Sequence, residues 1–199
     1  VYQARMLASR IRQGQGVPQD CAEAVRWYRK AAYFCDAWAR KRLGEMYRRG
    51  LGVPQDYAEA VRWYRKAAEQ GDAEAKMILG EMYRLGREVQ QDYAEAVRWY
   101  RRAADFGHAP AQKRLGEMYS HGQGVPQNYV EAHMWLNLAA SKVNGDDQQT
   151  YSNARDEVAA IMTTQQISEA QRRAQEWTPK SIFDIEGRTE FLNSCTVGE

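Results

Sequence analysis

The sequence predicts an all-α fold, a solenoid of helix-turn-helix units stacked on copies of one another and closed by a helical cap. Three observations carry that prediction. The string Gly-x-Gly-Val-Pro-Gln-Asp stands at Gly14 to Asp20 and at Gly50 to Asp56, with near-copies at Gly86 to Asp92 and Gly122 to Asn128, a step of 36 residues each time. Between the strings run two stretches whose apolar residues recur at spacings of three and four, the mark of amphipathic helices. A helix-starting residue, Asp20, Asp56, Asp92 or Asn128, closes each string.

The segment from Asp36 to Gly71 displays the unit most clearly. Ala39, Leu43, Met46, Tyr47 and Gly50 share one face of a first helix. Gly50 ends that helix in a left-handed cap, and Gly52, Val53 and Pro54 turn the chain around one apolar anchor. Asp56 caps a second helix, and Glu59 three residues on makes a capping-box-like start, repeated as Asp20/Glu23, Asp92/Glu95 and Asn128/Glu131. The second helix carries Ala60, Trp63, Tyr64, Ala67 and Ala68 on one face, and Gly71 ends it before Asp72 caps the next unit. Gly44, Ala67 and Ala68 let helix backbones approach, while Trp63 and Tyr64 fill the volume between them. Trp27, Trp99 and Trp135 hold the place of Trp63 in the other copies, so the tryptophans read as inter-helix core, and Trp63→Ala is expected to cost about 3–5 kcal/mol. In the third copy Glu88 replaces the second glycine and Gln90 the proline. To avoid a left-handed backbone at Glu88, that loop is expected to take another path while keeping Val89 as its anchor.

Leu-Gly-x-x-Tyr, then Gly-x-Gly-Val-x-x-Asp, then Ala-x-x-Trp-Tyr-x-x-Ala-Ala resembles the Sel-one-like repeat (SLR), a longer relative of the tetratricopeptide repeat (TPR), over about residues 1 to 179. The resemblance implies a TPR-like, right-handed α/α superhelix that binds a partner protein or peptide on the concave side lined by first helices. The organisation read from it is four repeats over 1–144 (1–36, 37–72, 73–108 and 109–144), capping helices over 145–179 and a non-repeat tail over 180–199. Pentatricopeptide RNA readers have a similar period but lack the glycine loop and the Trp-Tyr pair.

At the end of the array, Asn144-Gly145-Asp146 is expected to close the last regular helix. Ala154, Val158, Ile161 and Met162 give one cap helix; Thr163 with Gln166 reads as a capping box opening a second, which carries Ile167, Ala170, Ala174 and Trp177. In the tail, Ile185-Glu186-Gly187-Arg188 resembles the cleavage sequence of coagulation factor Xa, so this segment reads either as a vector-derived linker or as a natural tail. Its Ile182, Phe183, Phe191 and Leu192 are expected to lie in a groove of the same or a neighbouring chain. Val1 matches Ala37 in register, already inside a first helix, so the sequence reads as a fragment or processed product and leaves bacterial periplasm and cytoplasm both open.

Charge and composition exclude several classes. A formal charge of +2, from 28 basic and 26 acidic residues, argues against a generic polyanion binder. No apolar run approaches the length of a membrane span. The three cysteines stand at irregular spacing, and His108, His121 and His133 include no pair spaced for a metal-binding helix. Ser141 and Ser152 lack a glycine elbow, and carboxylate pairs such as Asp156/Glu157 fit a solvated helix face. The expectation is therefore a non-enzymatic protein without cofactor or metal. Cysteine-rich SLR relatives linked to β-lactam binding or hydrolysis have a regular cysteine pair in each repeat, a pattern this chain does not match; that activity remains a minor alternative.

What remains is surface. Positions opposite the core stripe of the first helices read Tyr2, Arg5, Ser9, Arg12; Trp38, Lys41, Glu45, Arg48; Glu74, Met77, Glu81, Arg84; and Pro110, Lys113, Glu117, Ser120. Exposed Tyr2, Trp38 and Met77 beside basic heads would suit a peptide with carboxylates and one or two apolar anchors; the other reading is a salt-bridged helix surface. The candidate partner face is Tyr2, Arg5, Arg12, Trp38, Lys41, Glu45, Arg48, Met77, Glu81, Arg84, Lys113 and Glu117. Asparagines of the co-chaperone carboxylate clamp are replaced by Ser9, Glu45, Glu81 and Glu117, which argues against capture of a C-terminal carboxylate. On the second helices Arg26, Arg29 and Lys30 recur as Arg62, Arg65 and Lys66 and as Arg98, Arg101 and Arg102. These rows are the basis of an alternative, polyanion or nucleic-acid binding, set against i, i+3 pairing with Glu23, Glu59 and Glu95 on a solvated face.

Overall fold

The computed structural model describes residues 2–13 and 20–180; among them are ten α-helices and no strand. Helices α1 (Tyr2–Gln13) and α2 (Cys21–Tyr33), α3 (Ala37–Arg49) and α4 (Tyr57–Glu69), α5 (Ala73–Leu85) and α6 (Tyr93–Ala104), and α7 (Ala109–His121) and α8 (Tyr129–Ala140) are the first and second helices of the four repeats. Helices α9 (Asp146–Ala159) and α10 (Thr164–Glu176) follow. The described residues fall into two compact units, one up to Ala75 and one from Lys76 to Lys180. The first copy of the glycine loop, Gly14 to Gln19, and the tail from Ser181 lie outside the described residues, and with them the expected groove-bound tail.

In the first unit one core joins Ala8 and Ile11 of α1, Ala24, Val25 and Tyr28 of α2, and Ala39, Leu43 and Met46 of α3. In the second unit Tyr100 of α6, Leu115 and Met118 of α7, Trp135 of α8 and Ala170 and Ala174 of α10 form another. Tyr28, Tyr64 and Tyr100 have no exposed surface; of the tryptophans, Trp99 and Trp135 are buried in the core as expected, whereas Trp27 and Trp63 are half-buried. Gly44 makes room for the Tyr64 ring, since a Cβ there would sit 2.8 Å from it. The small residue of the first helix thus admits a side chain, not a neighbouring backbone. Trp63 correspondingly contributes less buried surface than its sequence position implies, and the 3–5 kcal/mol expected there belongs to Tyr64.

Helix starts are half of what the sequence pattern predicts. Asp20, Asp56, Asp92 and Asn128 each accept from the backbone N–H three residues on, at 2.9, 2.9, 2.9 and 3.0 Å. The glutamates do not complete the box: Glu95 and Glu131 accept from Trp99 and Trp135 Nε1 at 3.0 and 3.1 Å, and Glu59 pairs with Arg62. An indole donor four residues on in the third and fourth repeats, and an arginine three residues on in the second, take the carboxylate in place of the return bond. The reciprocal box is present at Thr163 and Gln166, with bonds of 2.9 and 3.2 Å. Two boundaries also differ from expectation. Helix α8 stops at Ala140 and Gly145 instead precedes α9, while Ile161 lies beyond α9 and is exposed.

The glycine loops are stapled shut by their own side chains. Gln55, Gln91 and Gln127 donate Nε2 to the carbonyls of Arg48, Arg84 and Ser120 at 2.9, 2.8 and 2.8 Å. The N–H groups of Asp56, Asp92 and Asn128 donate to the carbonyls of Tyr47, Tyr83 and Tyr119 at 3.0, 2.9 and 3.0 Å. Glu88 accordingly follows the same path as the other copies, with φ of 75° against 71° at Gly52 and 70° at Gly124, contrary to the expected detour. Both staples are intact in the third loop, and together they outweigh a local preference worth about 1–2 kcal/mol. Glu88→Gly is expected to raise the unfolding free energy by about 1 kcal/mol in chemical denaturation, with the loop path unchanged.

Candidate partner-binding site

Within each unit the first helices carry a ladder of paired charges. In the second repeat, Glu45 and Arg48 lie one turn apart on α3, and α4 brings Tyr64 against them. Tyr64 Oη donates to Glu45 Oε2 at 2.9 Å, Arg48 Nη2 donates to the same oxygen at 3.0 Å, and Arg49 also pairs with this carboxylate. In the third repeat Glu81 pairs with Arg84 at 2.6 Å, and Tyr100 lies against both. Arg114 of α7 then bridges Glu81 at 2.8 Å and Glu117 at 2.9 Å, while Lys113 holds the other Glu117 oxygen at 2.5 Å.

Burial by itself would raise these carboxyls, but hydrogen bonds from Tyr64 and Arg48, from Arg84, and from Lys113 and Arg114 outweigh it. All three are held below the ordinary glutamate value of 4.5. Burial first, and then the adjacent glutamate, pushes the Tyr64 and Tyr100 phenols upward, so both stay protonated. For the glutamates the folded state binds fewer protons than the unfolded chain. Their contribution to stability is therefore complete above pH 4.5 and is lost as the pH falls below it. We expect unfolding free energy, followed by circular dichroism, to fall in that window. The triple substitution Glu45→Gln, Glu81→Gln and Glu117→Gln should flatten the fall.

Part of the predicted partner face is ion-paired within its own unit, and the rest is covered. Glu45, Arg48, Glu81, Arg84, Lys113 and Glu117 are half-buried members of the ladder. Trp38 is not the exposed anchor expected: it packs edge-on to Tyr28 with ring centroids 5.8 Å apart, and Arg42 covers its ring at 4.8 Å. Lys41 is buried and pairs with Asp72 at 3.3 Å and with Glu74. Met77 packs on the core of the second unit. Each first helix of a stack meets more than its own partner helix, so positions opposite the core stripe are covered as well. Arg12 is half-buried in α1; the side chains of Tyr2 and Arg5 lie outside the described residues.

The arginine rows of the second helices are also engaged. Arg62 pairs with Glu59, and Arg98 with Glu95 at 3.2 Å. Lys30, Lys66 and Arg102 stand over the rings of Trp27, Trp63 and Trp99 at 4.4, 4.6 and 4.9 Å. Among the described residues no three His, Cys, Asp or Glu groups gather to hold a metal, and no helix is long and apolar enough to cross a membrane.

A feature that the sequence reading passed over lies in the fourth repeat. Here Leu136 stands where the tyrosine recurs and Ser120 where the arginine recurs, so Glu117 alone remains of the triad. All three positions line a cleft of about 250 Å³ with Arg84, Arg114 and, from α9, Val158. The signal was present in the aligned repeats as a break from Tyr28, Tyr64 and Tyr100 to Leu136.

Comparison with known proteins agrees with this architecture. The Sel1 repeat pattern matches residues 4–33, 39–72, 73–108 and 109–144. A Sel1 repeat protein from Oxalobacter formigenes superposes with a TM-score of 0.66 at 29% identity, over 88% of this chain and 84% of that one. The protective antigen c5321 of uropathogenic Escherichia coli, which displays an SLR fold, gives 0.51 at 26% identity, over 95% of this chain and 48% of that one. Helicobacter pylori cysteine-rich protein B shares the fold, with a TM-score of 0.51 at 21% identity over 66% of this chain and 95% of its own. No curated protein matches the chain.

Proposed function

The chain belongs to the Sel1 repeat family, and from that premise we propose that it is a non-enzymatic scaffold that binds a partner protein on the first-helix side of its repeats. Sel1 repeat proteins generally act as protein-interaction scaffolds. The observation that supports this side is the ladder itself. Glu45, Arg48, Glu81, Arg84 and Glu117 keep roughly a quarter of their side-chain surface open while their geometry is fixed by ion pairs. Side chains already ordered in the free protein do not lose rotamer entropy on binding, which otherwise costs about 0.5–1.5 kcal/mol for each immobilised chain. On each unit a partner meets ordered charges of both signs, which favours specificity and encounter rate over brute affinity.

The test uses exposed residues that the core does not need. Arg49→Glu with Pro110→Lys alters the first-helix side, and Arg62→Glu with Arg98→Glu alters the second-helix side. A partner isolated with the wild-type chain should be lost by the first pair and kept by the second. Loss with the second pair alone, together with affinity that falls steeply with salt, would instead support polyanion binding.

A further inference from the structure

In the second repeat a tyrosine of the chain itself fills the space between the first-helix glutamate and the second helix. The fourth repeat has the same frame without the filler. Leu136 rests on Gly116 as the Tyr64 ring rests on Gly44, with a Cβ at either glycine falling 2.7 or 2.8 Å from the side chain above it. Leucine, however, ends where the outer half of the phenol would begin. The arginine that flanks the phenol in the second repeat is reduced to Ser120, which widens the opening. The result is the cleft of about 250 Å³, smaller than the roughly 300–1,000 Å³ typical of sites for drug-sized ligands and suited to one side chain.

We propose that this cleft is the docking site for a tyrosine side chain of the partner polypeptide, whose hydroxyl donates to Glu117 as Tyr64 donates to Glu45. The proposal rests on the scaffold reading above and names the residue that the partner inserts. Glu117 is already ionised and oriented by Lys113 and Arg114. Those two bonds leave it accepting capacity, because a carboxylate offers about four lone-pair sites. Glu45 demonstrates the capacity by accepting from Arg48, Arg49 and Tyr64 at once.

The lining selects among side chains. Leu136, Met118 and Val158, themselves nearly buried, form the apolar floor of the cleft. Glu117 then calls for a donor, which phenylalanine lacks. Arg84 and Arg114 disfavour a cationic donor, while Glu117 and Glu157 disfavour an acidic residue. A neutral aromatic donor satisfies all of these, and between tyrosine and the bulkier tryptophan the frame matches tyrosine, which fills the equivalent place in the second repeat and donates to its glutamate there.

The proposal is tested on the full chain by methyl and amide NMR, titrating N-acetyl-L-tyrosinamide and N-acetyl-L-phenylalaninamide. The tyrosine amide should shift the Leu136 and Met118 methyl signals to saturation, and the phenylalanine amide should bind about tenfold more weakly for want of the charge-assisted bond. Leu136→Tyr restores the internal ring and should abolish binding. Ala154→Phe closes the cleft from α9 and should do the same, which keeps the test decisive if the first variant does not fold. Equal affinity for the two amides, absence of any saturable shift, or undiminished binding by a folded variant of either kind would overturn the assignment. If the chain captures a partner on its first-helix side yet shows one of those results, the cleft assignment fails and the scaffold reading stands. Tyrosine amide binding as described without any partner protein would have the opposite meaning.

Discussion

Tyr64→Ala will lower the unfolding free energy by about 3–5 kcal/mol, the range for removing a fully buried aromatic side chain. Tyr64 has no exposed surface, its ring lies on Gly44, and its hydroxyl is bonded to Glu45 at 2.9 Å. Alanine removes all three relations and leaves a cavity between α3 and α4. Tyr64→Phe keeps the ring and removes the hydroxyl, so its cost should be smaller, about 1–3 kcal/mol, because Glu45 keeps its arginine partners. Trp63→Ala, at the neighbouring half-buried indole, should cost less than Tyr64→Ala. Urea denaturation of the three variants gives the order, and a larger loss at Trp63 would show that the core has been assigned to the wrong residue.

Gly124→Ala should destabilise by about 2–5 kcal/mol, combining left-handed strain with overpacking. Gly124 has φ of 70°, and a Cβ there would collide with the backbone of Tyr93 and Ala94 at the start of α6. Backbone atoms cannot yield as the end of a flexible side chain can. Gly52 meets the backbone of Cys21 and Ala22 in the same way, so the second glycine of the string marks where one repeat rests on the preceding second helix. Comparison with Glu88→Gly separates the terms: that variant measures the strain, and the excess loss at Gly124 measures the close approach. A cost at Gly124 no larger than the gain at Glu88 would mean that the loop can move away.

The repeat step, the paired helices and the capping aspartates were legible because each is local: a period, a 3.6-residue stripe and a residue type at a helix start. The ring that fills the core was less so. Trp63 and Tyr64 are adjacent in sequence, and only the position of Gly44 across the helix pair decides that the tyrosine is the one enclosed. Glu88 departs from the expected path because its propensity is visible in the sequence, whereas the loop-closing bonds of Gln91 and Asp92 that override it are not. Lys41 and Trp38 stand opposite the core stripe, yet that stripe is not the whole buried surface. Lys41 is covered through Asp72 and Glu74, at the start of α5, and Trp38 through Tyr28 of α2. Glu45 and Glu81 lie on α3 and α5, and their bonding to Tyr64 and Arg114, which spans 19 and 33 residues, is not visible in a local pattern. The fourth-repeat cleft needed the aligned copies to be read for what is missing.

The most direct measurement is site-specific photo-crosslinking in the organism's own extract. A benzophenone side chain would be placed singly at Arg49 or Pro110 on first helices and at Arg62 or Arg98 on second helices, all exposed positions. The scaffold account predicts adducts to one and the same protein from Arg49 and Pro110, and none to it from Arg62 or Arg98. Adducts from the second-helix positions alone, or to nucleic acid, would contradict it.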